Sequence, residues 1–183
     1  MSHPTTRAAR RAATAQRILE AAQIEFGEHG LEASTVRAIA QRAEVDPSLV
    51  IQHYGSKNDL FAIATRLDRE STDDEVAEHL FDVLDVRLGM LPPATRALVR
   101  SMLTAPEATA AMKDFLDERV VNLARTTSGD EAELRAALTV SSILGLTIAR
   151  HFLKLDALQS VSPEQIATTL QPWITAGLGR QDG

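Results

Sequence analysis

Between Ser34 and Leu60 the chain reads STVRAIAQRAEVDPSLVIQHYGSKNDL, and its apolar residues recur at helical spacing in two short bursts. Val36, Ile39, Ala40 and Ala43 fall at i, i+3, i+4 and i+7, which places one apolar stripe on a helix too short to stand alone. Ser34 and Thr35 sit where an N-cap hydroxyl would accept from the first free amides. A second helix is expected to open at Pro47, since proline suits the first turn, where its missing N–H has no partner to lose, and Asp46 would cap it. In that helix Val50 and Tyr54 share one face, while Pro47, Ser48, Ile51 and Gln52 share the opposite one. One face packs and the other is left free. Two short helices hinged by a tight turn form the pattern of a helix-turn-helix, whose second helix lies in the major groove of duplex DNA. There glutamine can make paired hydrogen bonds to adenine, and apolar side chains can meet a thymine methyl. Gln52 and Leu49 fit those two tasks.

The rest of the 183 residues predicts more helix. Gly and Pro are sparse, Ala and Leu abundant, and no run of alternating β-branched residues supports a strand. A first helix is expected over residues 12–29, with Ile18, Leu19, Ala22 and Phe26 as its core stripe and Gly30 as its stop. Lys57 begins a helix carrying Leu60, Phe61, Ile63, Ala64 and Leu67; others are expected at 93–103, 106–125, 131–155 and 163–178, with TSGD at 127–130 as a turn with a cap. The fold class is therefore all-α. We expect a three-helix helix-turn-helix DNA-binding domain over residues 1–60, followed over 61–183 by a helical ligand-binding and dimerisation domain.

Charge separates the same two parts. The net charge is −6, yet residues 1–57 hold seven Lys or Arg against six Asp or Glu, whereas 58–183 hold twelve against nineteen. Arg7, Arg10, Arg11 and Arg17 precede the first acid, a basic arm suited to phosphates or, more plainly, a solvated tail. Residues 68–85 hold eight acids and one arginine, read as a solvated helix face that joins the module to the remainder. There is no cysteine, so disulfides, thiolate nucleophiles and cysteine metal sites are excluded. The longest apolar run, 138–149, is read as too short and too polar to span a bilayer, and the Arg-rich start lacks an apolar signal core, so a soluble cytoplasmic protein with no membrane partner is expected.

Enzyme chemistry finds no footing, because no HExxH, glycine-rich phosphate loop or Ser/His/Asp set at motif spacing occurs. His29, His53, His79 and His151 are scattered rather than spaced as metal ligands, and no cofactor or metal is expected. Ser141, Gly145 and Ala149 repeat every four residues, widened by Ser142 and flanked by Leu138, Leu144, Ile148 and Phe152; this smooth strip predicts half of a four-helix homodimer interface. Met90, Met102, Met112, Phe115 and Trp173 read as core before they read as a ligand pocket, and His79, Asn122 and His151 are its polar candidates.

With these residues in hand, the chain resembles the TetR family of bacterial one-component transcriptional repressors. The matching run is TAQRILEAAQIEFGEHGLEASTVRAIAQRAEV followed by DPSLVIQHYGSKNDLF, residues 14–61, with Ile18, Leu19, Ala21, Ala22, Phe26, Gly30, Thr35, Arg37, Ile39, Ala40, Ala43, Val45, Tyr54, Ser56, Lys57 and Leu60 in step. The resemblance implies phosphate contacts from Thr35 and Lys57, with Ser34 beside them at the helix ends, and from His53, which stands where the family often has tyrosine. It implies base contacts from Arg37, Pro47, Ser48, Leu49 and Gln52. Glu44 stands where the family commonly has glycine, and Ile51 where an aromatic is frequent. The implied function is a ligand-responsive, homodimeric repressor of double-stranded operator DNA, released by a small-molecule effector. The competing reading is a helical protein-interaction module that keeps the helix-turn-helix as scaffold only.

Overall fold

The computed structural model describes residues 7–67, 88–127 and 129–178, and the described residues are helical without a strand. Nine helices are delimited among them: α1 Arg7–Ala33, α2 Val36–Arg42, α3 Pro47–Tyr54, α4 Lys57–Ala64, α5 Pro93–Ser101, α6 Pro106–Arg125, α7 Ala132–His151, α8 Asp156–Gln159 and α9 Pro163–Gly177. The acidic stretch 68–85, with His79, lies outside the described residues. The chain divides into two compact units, Met1–Leu67 with Pro93–Met112, and Asp68–Pro92 with Lys113–Gly183. A cut after residue 60 would leave α4 divided and α5 apart from the helix it packs on.

In the first unit Ile18, Ala22 and Phe26 of α1 are buried with Ile39 and Ala40 of α2, Val50 of α3, and Leu60, Phe61 and Ala64 of α4. The Phe26 and Phe61 rings meet edge to face, centroids 5.1 Å apart, a geometry that adds about 0.5–1.5 kcal/mol to the area they bury. Gly30 breaks α1 at φ 80°, ψ 170° rather than ending it, and the helix resumes as far as Ala33. The break takes the Leu31 amide away from its helical acceptor. Ser101 of α5, fully buried, restores the bond: the Leu31 N–H donates to its Oγ at 2.9 Å, and that hydroxyl donates to the Ala97 carbonyl at 2.9 Å. Close approach of α5 also uses Gly27, where a Cβ would stand 3.2 Å from Cδ of Arg96.

The second unit is built on Leu88, Leu123, Ala136, Ile166, Ile174 and Leu178. Arg150 of α7 fastens two other segments through their carbonyls, donating from Nε to Leu88 at 2.7 Å and from Nη1 to Leu158 and Val161. α9 opens with Pro163 behind a capping box in which Ser162 accepts from the Gln165 amide and Gln165 accepts from the Ser162 amide. α7 differs from expectation at its start, because its N-cap is Glu131, which makes no side-chain cap bond; Ser128 of the expected 127–130 turn lies outside the described residues. It also ends early, at His151, since Lys154 takes a positive φ of 53° and α8 follows.

The apolar run 138–149 lies inside a 20-residue helix that, by length and composition alone, is apolar enough to cross a membrane. Leu134 and Leu138 on this helix are 55% and 60% exposed, and a Cβ at Gly145 would meet nothing within 4 Å.

Candidate nucleic-acid interface

Thr35 is the N-cap of α2: its backbone is extended and its Oγ1 accepts from the Ala38 amide at 3.1 Å, on the surface. Ser34 is different. It is 1% exposed, and its Oγ lies 2.7 Å from the Gly30 carbonyl and 3.2 Å from that of Glu25. This corrects the expectation for Ser34, whose hydroxyl turns into the unit, away from any phosphate. Arg37, the second residue of α2, is exposed. Behind the motif Arg42 pairs with Glu25 and Glu28, tying α2 to α1. Glu25, Glu28 and His29 are close enough together to hold a metal ion, but this ion pair already accounts for both carboxylates.

The turn runs through Glu44 at φ 54°, left-handed as the family's glycine would be, and Val45 then donates back to the Ala40 carbonyl at 3.0 Å. Asp46 caps α3, accepting from the Ser48 amide at 2.8 Å; hydrogen bonds from Ser48 hold its carboxyl below the usual aspartate range. On α3, Val50 points inward at 1% exposure, and the Tyr54 hydroxyl donates to the Ala15 carbonyl at 2.7 Å, with burial pushing its ionisation upward. Pro47, Ser48, Ile51 and Gln52 are exposed, and Leu49 and His53 are half-buried on the flanks. The two faces separate as their spacing predicts, with the polar one unoccupied by protein.

α4 is fixed by a box the sequence reading passed over. Asp59 accepts from the Ser56 amide at 2.9 Å while Ser56 Oγ accepts from the Asp59 amide at 3.1 Å, and hydrogen bonds from Ser56 hold the Asp59 carboxyl low. Its signal was the S-x-x-D spacing of residues 56–59. Lys57 departs from expectation. Its ammonium donates to the carbonyls of Leu31 at 2.8 Å, Ser34 at 3.1 Å and Glu32 at 3.4 Å, so all three of its protons have acceptors inside the unit. A phosphate would have to displace one of them. Lys57 thus joins the end of α1, the start of α2 and the start of α4.

The pocket candidates scatter. Met112 and Phe115 are buried, whereas Met90 and Trp173 are 81% and 77% exposed. Trp173 borders an open cleft of about 890 Å³ in the second unit, whose apolar lining includes Leu146, Leu158, Val161 and Leu170.

Residues 18–64 match the family model described as bacterial regulatory proteins, tetR family, and residues 69–178, more than half of the chain, match the tetracyclin repressor-like C-terminal domain. The HTH-type transcriptional repressor AcnR of Corynebacterium efficiens is 31% identical over 137 residues, covering 68% of this chain and 71% of that one. The HTH-type transcriptional regulatory protein RaaS of Mycobacterium tuberculosis is 45% identical over 64 residues, 35% of this chain and 26% of its own. Among solved structures, native NalD, the secondary repressor of the MexAB-OprM multidrug efflux pump in Pseudomonas aeruginosa, superimposes with a TM-score of 0.69 at 20% identity, over 91% of this chain and 97% of its own. A transcriptional regulator of Rhodococcus sp. Rha1 does so with a TM-score of 0.66 at 24% identity, over 92% and 99%. These two establish the fold, and the family models establish kinship across both units. The chain belongs to the TetR family, whose members are DNA-binding transcription factors and not enzymes.

Proposed function

We propose that the chain works in the cytoplasm as a two-fold homodimer that represses transcription by holding operator duplex with α2 and α3, and that a small-molecule effector bound in the second unit releases it. The observation that carries this reading is α3 itself. Val50 and Tyr54 hold it down by one face, and Pro47, Ser48 and Gln52 stand free on the other. Gln52, Ser48, Pro47 and Leu49 read base edges with Arg37, while Thr35 and His53 meet phosphates. Lys57 positions these elements, and Ser34 packs beneath them.

Reading belongs to the part before residue 60, and dimerisation and effector binding to the part after it, with α5 as the exception that packs back on α1. Dimerisation rests on α7, where Ser141 and Gly145 are exposed beside Leu138. A second copy laid on that strip would bury the apolar side chains that are exposed in one chain and bring two α3 helices to successive major grooves, roughly 34–36 Å apart. An effector acts only through unequal affinity for the spacings that fit and do not fit the duplex.

The test is a salt-dependent mobility shift on the duplex upstream of the chain's own gene. A shift that weakens steeply with salt is expected. A correctly folded dimer that shifts nothing at low salt would overturn the reading in favour of a scaffold-only interaction module.

A further inference from the structure

The first two turns of α1 are built unlike the rest of that helix. Residues 7–13, RAARRAA, are helical, and every one of them is exposed. They bury no apolar surface, and seven residues make no stable helix on their own. They stand as a prolongation of the packed helix behind them, favoured by alanine and arginine. Arg7, Arg10 and Arg11 all lie here, Arg17 follows one turn later, and the first acid of the chain is Glu20. Among the described residues the four guanidiniums form no ion pair, whereas Arg42 and Lys113 do. In a chain of net charge −6 this is a concentrated positive patch.

Its direction follows from the register of the helix. Arg7 and Arg11 precede Ile18 and Ala22 at i, i+4, i+11 and i+15, so they continue the buried stripe of α1 past the end of the helices it packs on. They overhang that end. The Tyr54 hydroxyl, at the last residue of α3, is bonded to the carbonyl of Ala15. At ~1.5 Å of rise per residue, Arg11 and Arg7 start roughly 6 and 12 Å beyond this bond along the axis. Arg7 and Arg11 therefore lie on α1 beyond its contact with the last residue of α3, Arg10 lies on the same two exposed turns, and among the described residues none of the three guanidiniums is in an ion pair.

We propose that Arg7, Arg10 and Arg11 form a phosphate-holding extension of the helix-turn-helix that grips the operator backbone on the flank of the bases read by α3. Guanidinium pairs with phosphate through two parallel hydrogen bonds, and here no internal acid competes for it. The extension adds affinity and contact length, and no base preference. It rests on the DNA-binding reading above.

The experiment measures binding by fluorescence anisotropy between about 50 and 300 mM KCl on the upstream duplex and on a scrambled duplex of equal length. Wild type is compared with Arg7→Ala/Arg10→Ala/Arg11→Ala and with the three Arg→Lys changes. Alanine at these exposed positions keeps the helix, which circular dichroism checks. The alanine variant is expected to lose about 2 to 3 from the slope of log K against log salt, at ~0.9 per phosphate released, with equal weakening on both duplexes. The lysine variant should retain most of the slope. An unchanged slope in the alanine variant, beside a wild type that binds, overturns the extension alone. A wild type that binds neither duplex overturns the extension together with the DNA-binding reading.

Discussion

α3 and α7 both present an exposed face, but of opposite chemistry. On α3 the apolar Val50 is covered and the open side carries Pro47, Ser48 and Gln52 around Ile51; on α7 the open side carries Leu134 and Leu138 around Ser141 and Gly145. An open face on which Ile51 is the one large apolar side chain among polar ones costs a monomer little. An open apolar strip on a 20-residue helix is surface that favours association. On the proposed function the contrast separates reading from pairing: the apolar face of α3 is covered within one chain, and the exposed leucines of α7 are what a second copy would cover.

The sharpest way to break that contrast is Gly145→Arg. Within one chain a side chain at 145 meets nothing within 4 Å, and replacing glycine in a helix is favourable by up to about 1 kcal/mol, so the protomer should fold at least as well. Between two chains an arginine would hold the helices apart. Sedimentation should show a monomer, and operator affinity should fall by roughly 100-fold or more as the second half-site contact is lost. A variant that stays dimeric would remove α7 from the interface.

Lys57→Met is expected to come next. Three carbonyls lose a charged donor, so the first unit should lose about 2 kcal/mol by urea denaturation. Because the ammonium is held inside, the salt slope of DNA binding should stay at the wild-type value. A slope lowered by about 1 with unchanged stability would make Lys57 a phosphate contact after all.

What the chain disclosed in advance follows from the range of each signal. α3 was legible because Asp46, Pro47, Val50 and Tyr54 are local marks, all within eight residues of the helix they define. Ser34 and Thr35 were not separable, because two adjacent hydroxyls suit one cap and only the fold decides which of them turns inward. The start of α1 at Arg7 was missed since RAARRAA has no apolar period to read. Ser101 left no trace at all: its partner Leu31 lies 70 residues away, and the need for it arises only from the break at Gly30. Lys57 had a signal that pointed to phosphate, and the three carbonyls that occupy it come together only in space.

Gln52→Ala sharpens the reading side. The side chain is exposed on α3, so stability should hold within about 0.5 kcal/mol. A lost bidentate base contact should cost about 1–3 kcal/mol on the operator and little on a scrambled duplex, measured as a ratio at one salt concentration. Equal losses on both would place Gln52 on the backbone instead.

The smallest expected effect is at the turn between the two reading helices. Gly30 and Gly55 take positive φ without a Cβ to object, whereas Glu44 takes φ 54° with one. Left-handed backbone costs a substituted residue about 1–2 kcal/mol, and glycine gives back part of that gain through the freer unfolded chain, about 0.5–1 kcal/mol. Glu44→Gly should therefore stabilise the first unit by about 0.5–1 kcal/mol, and Glu44→Asn, whose short side chain tolerates this region, by a fraction of it. Glu44→Gln removes the charge and keeps the strain, so it should leave stability unchanged. If the glutamine variant gained as much as the glycine variant, charge and not backbone conformation would be the cost at this position.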